Sequence, residues 1–203
     1  RYLCHQKFAA PSLTHWFGTD NFGRDIFSRV MQGCSTTLAI SLLVVLFSAS
    51  VGILLGAVTG YFGGILDEVV MRVTDAVNGF PSILLTLVII SLLGTGKQNV
   101  IIALGIVFIP SYVRIVRGEF IRLRDADYIR RARLMGVSRM RILFVHILPN
   151  IFSVFWVSVI IGLNNAILAE SGMSYLGIGV KPPDASLGKM LSDAQGYLQN
   201  APW

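Results

Sequence analysis

The chain has 203 residues, of which 54% are hydrophobic and only 14% are charged. Because soluble domains carry about a quarter charged residues, this balance excludes an ordinary soluble domain and indicates a protein whose solvent is membrane lipid. The net charge of +6 could suit nucleic acid, but no aromatic interleaving or nucleic-acid motif accompanies the basic residues, so nucleic acid is not an expected partner.

Four apolar runs, near residues 36–62, 81–95, 99–117 and 147–169, predict four membrane-spanning helices. A helix needs roughly 20 apolar residues to cross the hydrocarbon of a bilayer. The first run easily exceeds this length. The third run is short. It can continue through Ile115 and Val116 if the side chains of Arg114 and Arg117 reach the lipid headgroups. The predicted fold class is therefore all-α, a polytopic transmembrane helical bundle that forms one domain over residues 1–203.

The first predicted helix carries a small residue at every fourth position: Ser48, Gly52, Gly56 and Gly60. Residues spaced by four lie on one face of a helix, and small residues on such a face allow a second helix backbone to approach closely. We therefore expect this face to pack against another helix of the bundle.

Residues 65–78, between the first two spans, predict an amphipathic interface helix with two contrasting faces. One face is apolar and consists of Leu66, Val69, Val70, Val73 and Val77. The other is charged, with an i, i+4 pair suited to an ion pair, and consists of Asp67, Glu68, Arg72 and Asp75. Two interpretations stay open: a helix on the membrane surface, or a second docking surface for a cytoplasmic partner.

The connection over residues 118–146 contains most of the basic charge. Between Arg114 and Arg141 lie nine arginines against three acidic residues. Such a segment between apolar runs is typical of a cytoplasmic loop, according to the positive-inside rule. By alternation, residues 65–78 lie on the same cytoplasmic side, whereas the N-terminal segment and the loop 171–203 lie outside.

This basic loop also predicts a short helix over residues 128–135. We expect Asp125 or Asp127 to cap its start and Gly136 to end it in the left-handed conformation. An exposed helix with an apolar and aromatic face and a basic border is typical of a surface that a partner binds. The residues of this surface are Tyr128, Arg130, Arg131, Ala132, Arg133 and Met135.

Polar residues in the fourth span suggest a translocation path. Asn164, Asn165 and Glu170 lie in or at the end of this helix, where polar groups usually face protein or water. Adjacent asparagines point about 100° apart on a helix, so we expect only one of them to face a pore. Hydrogen bonding between helices is the alternative interpretation.

No catalytic or metal-binding motif is present. The stretch "GTGKQN" lacks the first glycine and the final serine or threonine of a phosphate-binding loop. Cys4 and Cys34, with His5 and His15, match no metal-ligand spacing. We therefore expect neither catalysis nor a bound metal in this chain.

Several long stretches resemble the inner-membrane permeases of ABC importers, specifically the second permease subunit of the dipeptide, oligopeptide and nickel family. They are "HWFGTDNFGRDIFSRVMQG" (15–33), "YFGGILDEVVMRVTDAVNGFP" (61–81), "VRGEFIRLRDADYIRRARLMG" (116–136) and "AESGMSYLGIGVKPPDASLGKML" (169–191). The cytoplasmic signature of such permeases is E-A-A, three residues, glycine, nine residues and I-x-L-P. It is matched here by Ala132, Gly136, Leu148 and Pro149, with arginines in the first two positions and His146 in that of isoleucine.

The resemblance implies a subunit that forms half of a translocation pore for short peptides and works by alternating access. It also implies four kinds of partner: a sister permease in a heterodimer, two ATP-binding cassette subunits that hold ATP and Mg, an extracytoplasmic substrate-binding protein and membrane lipid. The short helix at 128–136, with Pro149, would couple to the ATPases, and this chain would bind no cofactor itself.

The implied location is the inner membrane of a bacterial or archaeal cell, crossed several times. The resemblance implies a family fold of six spanning helices, of which this chain would lack the first and the last. Helical spacing over residues 189–198 predicts a short outer helix that gates the pore or merely caps it. Two other functions stay open: import of nickel or a metal chelate on the same scaffold, and a channel or scaffold subunit that needs no ATPase.

Overall fold

A computed structural model of the chain describes residues 7–138, 141–181, 184–199 and 201. These residues form α-helices, and the sole β-type pairing among them is an isolated bridge between Thr19 and Asp25, which confirms the all-α class. The helices are α1 (Ile26–Phe62), α2 (Gly64–Asn78), α3 (Ser82–Leu93), α4 (Lys97–Arg124), α5 (Asp127–Leu134), α6 (Leu148–Tyr175) and α7 (Leu187–Ala194). A π-helical segment, Ile142–Ile147, leads directly into α6, and a 3₁₀ turn, Gln195–Tyr197, follows α7.

Three helices are long and apolar enough to cross a membrane: α1, α4 and Val145–Tyr175, which is α6 with the end of the π-helical segment. The predicted span at 81–95 corresponds to α3, which has only 12 residues and is about 18 Å long. That length is short of the roughly 30 Å of bilayer hydrocarbon. Helices α2 and α3 meet at 93°, so this part of the chain qualifies as a fourth span only as a bent pair.

The glycine face of α1 packs directly against α4. A Cβ atom on Gly56 would lie 2.8 Å from the carbonyl oxygen of Val113, and one on Gly60 would lie 2.6 Å from Cβ of Phe120. Gly52 meets Tyr112 in the same way. The predicted close helix approach is thus confirmed, and the longest helix–helix seam of the chain runs along these glycines.

Contacts between residues far apart in the sequence show which segments lie together at each end of the bundle. At the α7 end, Lys97 Nζ pairs with Asp184 Oδ2 at 2.7 Å, and the backbone N–H of Leu187 donates to Thr37 Oγ1 at 3.3 Å. At the α5 end, α2 contacts the second half of α4. The start of α1, the α3–α4 turn and α7 therefore share one end, as the alternation of spans requires.

The start of α6 is shaped by Pro149. Proline donates no backbone hydrogen bond, and its ring clashes with the carbonyl four residues earlier. The wider π-helical turn immediately before the proline accommodates this loss, as such turns commonly do next to irregularities in a helix. The side chain of Asn150 also donates to the carbonyl of His146 at 2.7 Å, and α6 follows the π-helical segment directly.

Candidate functional site

The short helix α5 exists where the sequence predicts it, but its start differs from the expectation. Its N-cap residue is Ala126, which offers no capping side chain. Asp127 lies in the first turn instead, where a carboxylate still interacts favourably with the positive end of the helix dipole. The predicted capping role of Asp125 or Asp127 was therefore wrong.

The end of α5 follows the prediction closely. Gly136 has φ +78°, a left-handed conformation that glycine adopts without steric cost. Its N–H donates to the carbonyl of Arg133 at 3.0 Å, and the N–H of Val137 donates to the carbonyl of Ala132 at 3.1 Å. These two bonds form a Schellman motif, which ends the helix and turns the chain toward α6.

The faces of α5 are arranged differently from the prediction. Ile129 is fully buried and Ala132 is 5% exposed, because this side of the helix packs into the hydrophobic core with Ile142. Ala132 therefore lies against the bundle and not on the surface that a partner would meet. The residues of α5 and its end that do face outward are Tyr128, Arg130, Arg131, Arg133, Leu134 and Met135.

A hydrogen bond joins α5 to α6. The amide nitrogen of Asn150 donates to the Tyr128 hydroxyl oxygen at 3.2 Å, while Tyr128 remains 43% exposed. Tyr128 therefore contacts the spanning helix with its hydroxyl and leaves part of its ring accessible. A movement of α5 would reach the first turn of α6 through this contact and through the buried side of α5.

The charged face of α2 is only partly available to a partner. Arg117 makes a bidentate ion pair with Asp67, at 2.5 and 2.7 Å, and Arg114 donates to Asp75 at 2.6 Å. Two of the four charged residues predicted for a second interface thus bind α4 instead. The other two, Glu68 and Arg72, pair with each other at the exposed surface at 2.8 Å.

The apolar face of α2 is turned away from the rest of the chain. Leu66, Val69 and Val73 are 51%, 55% and 59% exposed. In a soluble protein an amphipathic helix normally turns its apolar face inward. Here the arginines of α4 attract the carboxylates of α2, so the apolar side chains are left on the outside.

The three polar candidates in α6 occupy different environments. Asn164 and Asn165 are both exposed on the surface of this chain. Glu170 is fully buried, and its Oε1 accepts a hydrogen bond from the Ser174 hydroxyl at 2.6 Å. The structure therefore places Glu170 among the packed helices, which departs from the expectation that it lines a path.

No site for a metal is evident in the part of the chain that the structure describes. No group of three or more His, Cys, Asp or Glu side chains converges there. Cys4 and His5, which the sequence raised as conceivable ligands, lie outside the described residues.

Comparison with known proteins identifies the family. The sequence profile of the family described as "Binding-protein-dependent transport system inner membrane component" matches residues 52–201. The chain belongs to this family. It is therefore related to transport subunits rather than to enzymes, and it is a multi-pass protein of the kind that resides in the inner membrane.

Curated relatives within this transport family are similar over almost the whole chain. The dipeptide transport system permease protein DppC of Alkalihalophilus pseudofirmus is 40% identical over 97% of this chain and 65% of its own length. The glutathione transport system permease protein GsiD of Pectobacterium atrosepticum is 38% identical over 95% of this chain and 64% of its own. A putative peptide transport system permease protein of Brucella suis is 43% identical, with 97% and 66% covered. The chain thus spans slightly less than two thirds of the length of each of these three relatives.

A solved structure supports the fold assignment. A chain of the MetNI methionine ABC transporter, in an inward-facing conformation, matches with a TM-score of 0.68 over 84% of this chain and 82% of its own. The two sequences are 21% identical, so this likeness concerns the fold alone. It agrees with the family assignment that the sequence profile gives.

Two features of this family member were missed from the sequence. The first is Ile129, whose burial fixes α5 to the core. Because arginines follow it directly in the sequence, it was not recognised as a core residue. The second is the pairing of Asp67 with Arg117, residues 50 positions apart. Only the opposite charges of α2 and of the second half of α4 indicated that contact.

Proposed function

We propose that the chain is a transmembrane subunit of an ATP-driven importer of short peptides and forms half of its translocation pore. The observation that carries this proposal is the geometry of α5, which is anchored to the core on one side and presents aromatic, aliphatic and basic side chains on the other. The relatives named for dipeptides, glutathione and peptides support peptides as the substrate class over nickel or its chelates.

In this proposal α5 is the point where a cytoplasmic ATPase subunit binds. The exposed side chains of Tyr128, Leu134 and Met135 would fill an apolar groove, and the arginines around them would meet acidic residues at its rim. ATP and Mg belong to those partner subunits. Closure of the ATPases would displace α5, and the Tyr128–Asn150 contact would pass the displacement to α6 as alternating access requires.

The remaining partners follow from the two ends of the bundle. The α5 end would be cytoplasmic, and the α7 end would face the extracytoplasmic substrate-binding protein. A sister permease would cover the exposed surfaces of α1 and α6 and complete the pore. In the outer segment, α7 (Leu187–Ala194) with its 3₁₀ turn would act as the gate that the sequence predicted over 189–198. Pro182 and Pro183 of that segment lie outside the described residues.

Uptake by the assembled importer tests the substrate class. The complete importer would be reconstituted in liposomes from the full-length subunit, its sister subunit, the ATPases and the binding protein. ATP would be supplied on the side of the membrane where the ATPases lie. We expect ATP-dependent uptake of a radiolabelled dipeptide and no comparable uptake of nickel, free or chelated by histidine. Nickel uptake without dipeptide uptake would replace peptides with nickel as the cargo, and ATP-independent flux of either would indicate a channel.

Thiol labelling tests the translocation path. In a protein with Cys4 and Cys34 changed to serine, single cysteines would be placed at positions 164, 165 and 170. Because both asparagines are exposed and Glu170 is buried, a membrane-impermeant maleimide should label position 164 or 165 in the complex and leave position 170 unlabelled. Labelling of 170 alone, or of none of the three in resting and ATP-bound states, would contradict the assignment of this α6 face to the pore.

A further inference from the structure

Large apolar side chains lie exposed in the segment that precedes α1. Trp16 is 65% exposed and Phe17 is 46% exposed. Both rings pack against Phe27 in the first turn of α1, with centroids 5.1 and 5.4 Å from its own. Leu13, three residues before Trp16, is 98% exposed. We call these four residues the outer apolar patch. Apolar side chains exposed as a group, rather than singly, usually mark a surface that binds something.

Backbone hydrogen bonds hold the patch in one arrangement. The N–H of Ser12 donates to the carbonyl of His15 at 2.8 Å, which closes a turn around Leu13. The N–H of Ile26 donates to the carbonyl of Gly18 at 3.1 Å, so the chain is tied to the start of α1 directly after the two aromatic residues. A surface that is ordered before its partner arrives loses less conformational entropy on binding.

The length of α1 places the patch outside the bilayer. The helix has 37 residues and is about 55 Å long, whereas a bilayer with its headgroups is about 40–45 Å thick. The apolar part of α1 begins at Leu38, and residues 26–37 before it include Arg29 and Gln32. Phe27 therefore lies about 16 Å along the axis beyond the apolar part, or about 12 Å if the helix tilts by about 40°. A headgroup layer is only about 5–8 Å thick, so lipid does not reach the patch.

Helix α7 leaves the patch uncovered as well. It starts beside a deeper turn of α1, where the N–H of Leu187 donates to Thr37 Oγ1 at 3.3 Å. The 3₁₀ turn that follows α7 meets the segment before α1 at Asn21, which donates to the Tyr197 hydroxyl at 3.1 Å. The patch keeps its exposure with both contacts in place, and it lies further from the bilayer than the start of α7.

Charges close to the patch are paired within the same segment. Arg24 Nε donates to Asp20 Oδ2 at 2.7 Å, and His15 Nδ1 lies 3.0 Å from Asp25 Oδ1. A partner would therefore bind through apolar surface rather than through new ion pairs. Since salt screens interactions between exposed charges, it would weaken such binding little.

We propose that the outer apolar patch is a docking surface for the extracytoplasmic substrate-binding protein, with Trp16 inserted into an apolar pocket of that protein. The family of this chain is described as binding-protein-dependent, and a protein that delivers substrate from outside meets first the residues furthest from the bilayer. Tryptophan is enriched among the side chains that carry most of the binding free energy of an interface. The inference rests on the proposed function for the existence of this partner.

Affinity measurements on the assembled full-length importer in nanodiscs test the proposal. The dissociation constant of the substrate-loaded binding protein would be measured by biolayer interferometry. Trp16→Ala should raise this constant about tenfold or more, as expected for an aromatic residue at the centre of an interface. Phe62→Ala is the matched control, because it truncates an aromatic side chain that is 60% exposed at the opposite end of α1. It should leave the constant unchanged.

A second variant covers the case in which Trp16→Ala disturbs the packing on Phe27. Leu13 is almost fully exposed, so Leu13→Asp leaves the fold intact and places a charge in the apolar contact. It should also weaken binding about tenfold or more, because burying an unpaired carboxylate is costly. Wild-type affinity in both variants would overturn the docking proposal. ATP-driven dipeptide uptake that continues in that case would show that the importer function stands without it.

A spin label at position 13 of an otherwise cysteine-free importer distinguishes the occupants of the patch. We expect the label to be accessible to a water-soluble nickel relaxation agent, and to lose most of this accessibility when the binding protein is added. Greater accessibility to oxygen than to the nickel agent before that addition would place the patch in lipid. Low accessibility to both agents at that stage would place it under the sister subunit. Either of these results would refute the assignment to the binding protein.

Discussion

Gly56→Ala should destabilise the protein by about 1–3 kcal/mol, the usual cost of inserting a methyl group into a filled core. The new Cβ would lie 2.8 Å from the carbonyl oxygen of Val113 and 2.8 Å from Cβ of Val116. The first of these atoms belongs to the backbone of α4, so the clash is relieved only by moving one helix away from the other. The midpoint of thermal unfolding in detergent is the quantity to measure.

Gly118→Ala is the matched control, because it makes the same change in the interior of a neighbouring helix. A Cβ at Gly118 would meet nothing within 4 Å, and alanine has the higher helix propensity, by about 1 kcal/mol. This variant should unfold at the same temperature as the wild type or at a higher one. Equal stability of the Gly56 and Gly118 variants would mean that the α1–α4 seam does not depend on close backbone approach.

In the importer proposed above, Gly136→Val should lower dipeptide uptake and substrate-stimulated ATP hydrolysis by at least tenfold while membrane insertion persists. A β-branched residue at φ +78° is strained by of order 1–3 kcal/mol. Relief of that strain breaks the hydrogen bonds that Gly136 and Val137 make to the last turn of α5. The end of α5 would then shift, and with it the exposed residues Leu134 and Met135.

Gly136→Asn separates this conformational effect from an effect of side-chain size. No atom lies within 4 Å of a Cβ placed at Gly136, so there is room for either side chain. Asparagine tolerates the left-handed region far better than valine, and we expect it to keep most of the uptake. Normal uptake by the Gly136→Val variant, or equal losses in the two variants, would refute the role of this turn in coupling.

Features that depend on local chemistry could be predicted from the sequence. The left-handed turn at Gly136 follows from a glycine placed directly after a short helical pattern. The close packing of Gly52, Gly56 and Gly60 follows from their spacing by four within an apolar run. In both cases a few neighbouring residues determine the backbone geometry, so one sequence suffices.

Features that depend on which helices meet could not be predicted. The apolar periodicity of α2 says nothing about whether lipid or protein covers that face, and the choice is made by Arg114 and Arg117 on α4. The same holds for Ala132, which is small enough for either face and is buried because Ile129 beside it packs into the core. The hydrogen bond that Asn21 donates to the Tyr197 hydroxyl joins residues 176 positions apart, which no local pattern reveals.

The seam between α1 and α4 also bears on the order in which the chain assembles during synthesis. The glycine face of α1 and the carboxylates of α2, Asp67 and Asp75, leave the ribosome before the residues of α4 that bind them. During synthesis the N-terminal part of a chain is made first and is available to fold first. Helix α4 therefore emerges after its partner surfaces on α1 and α2 and before α6, which packs against both α1 and α4.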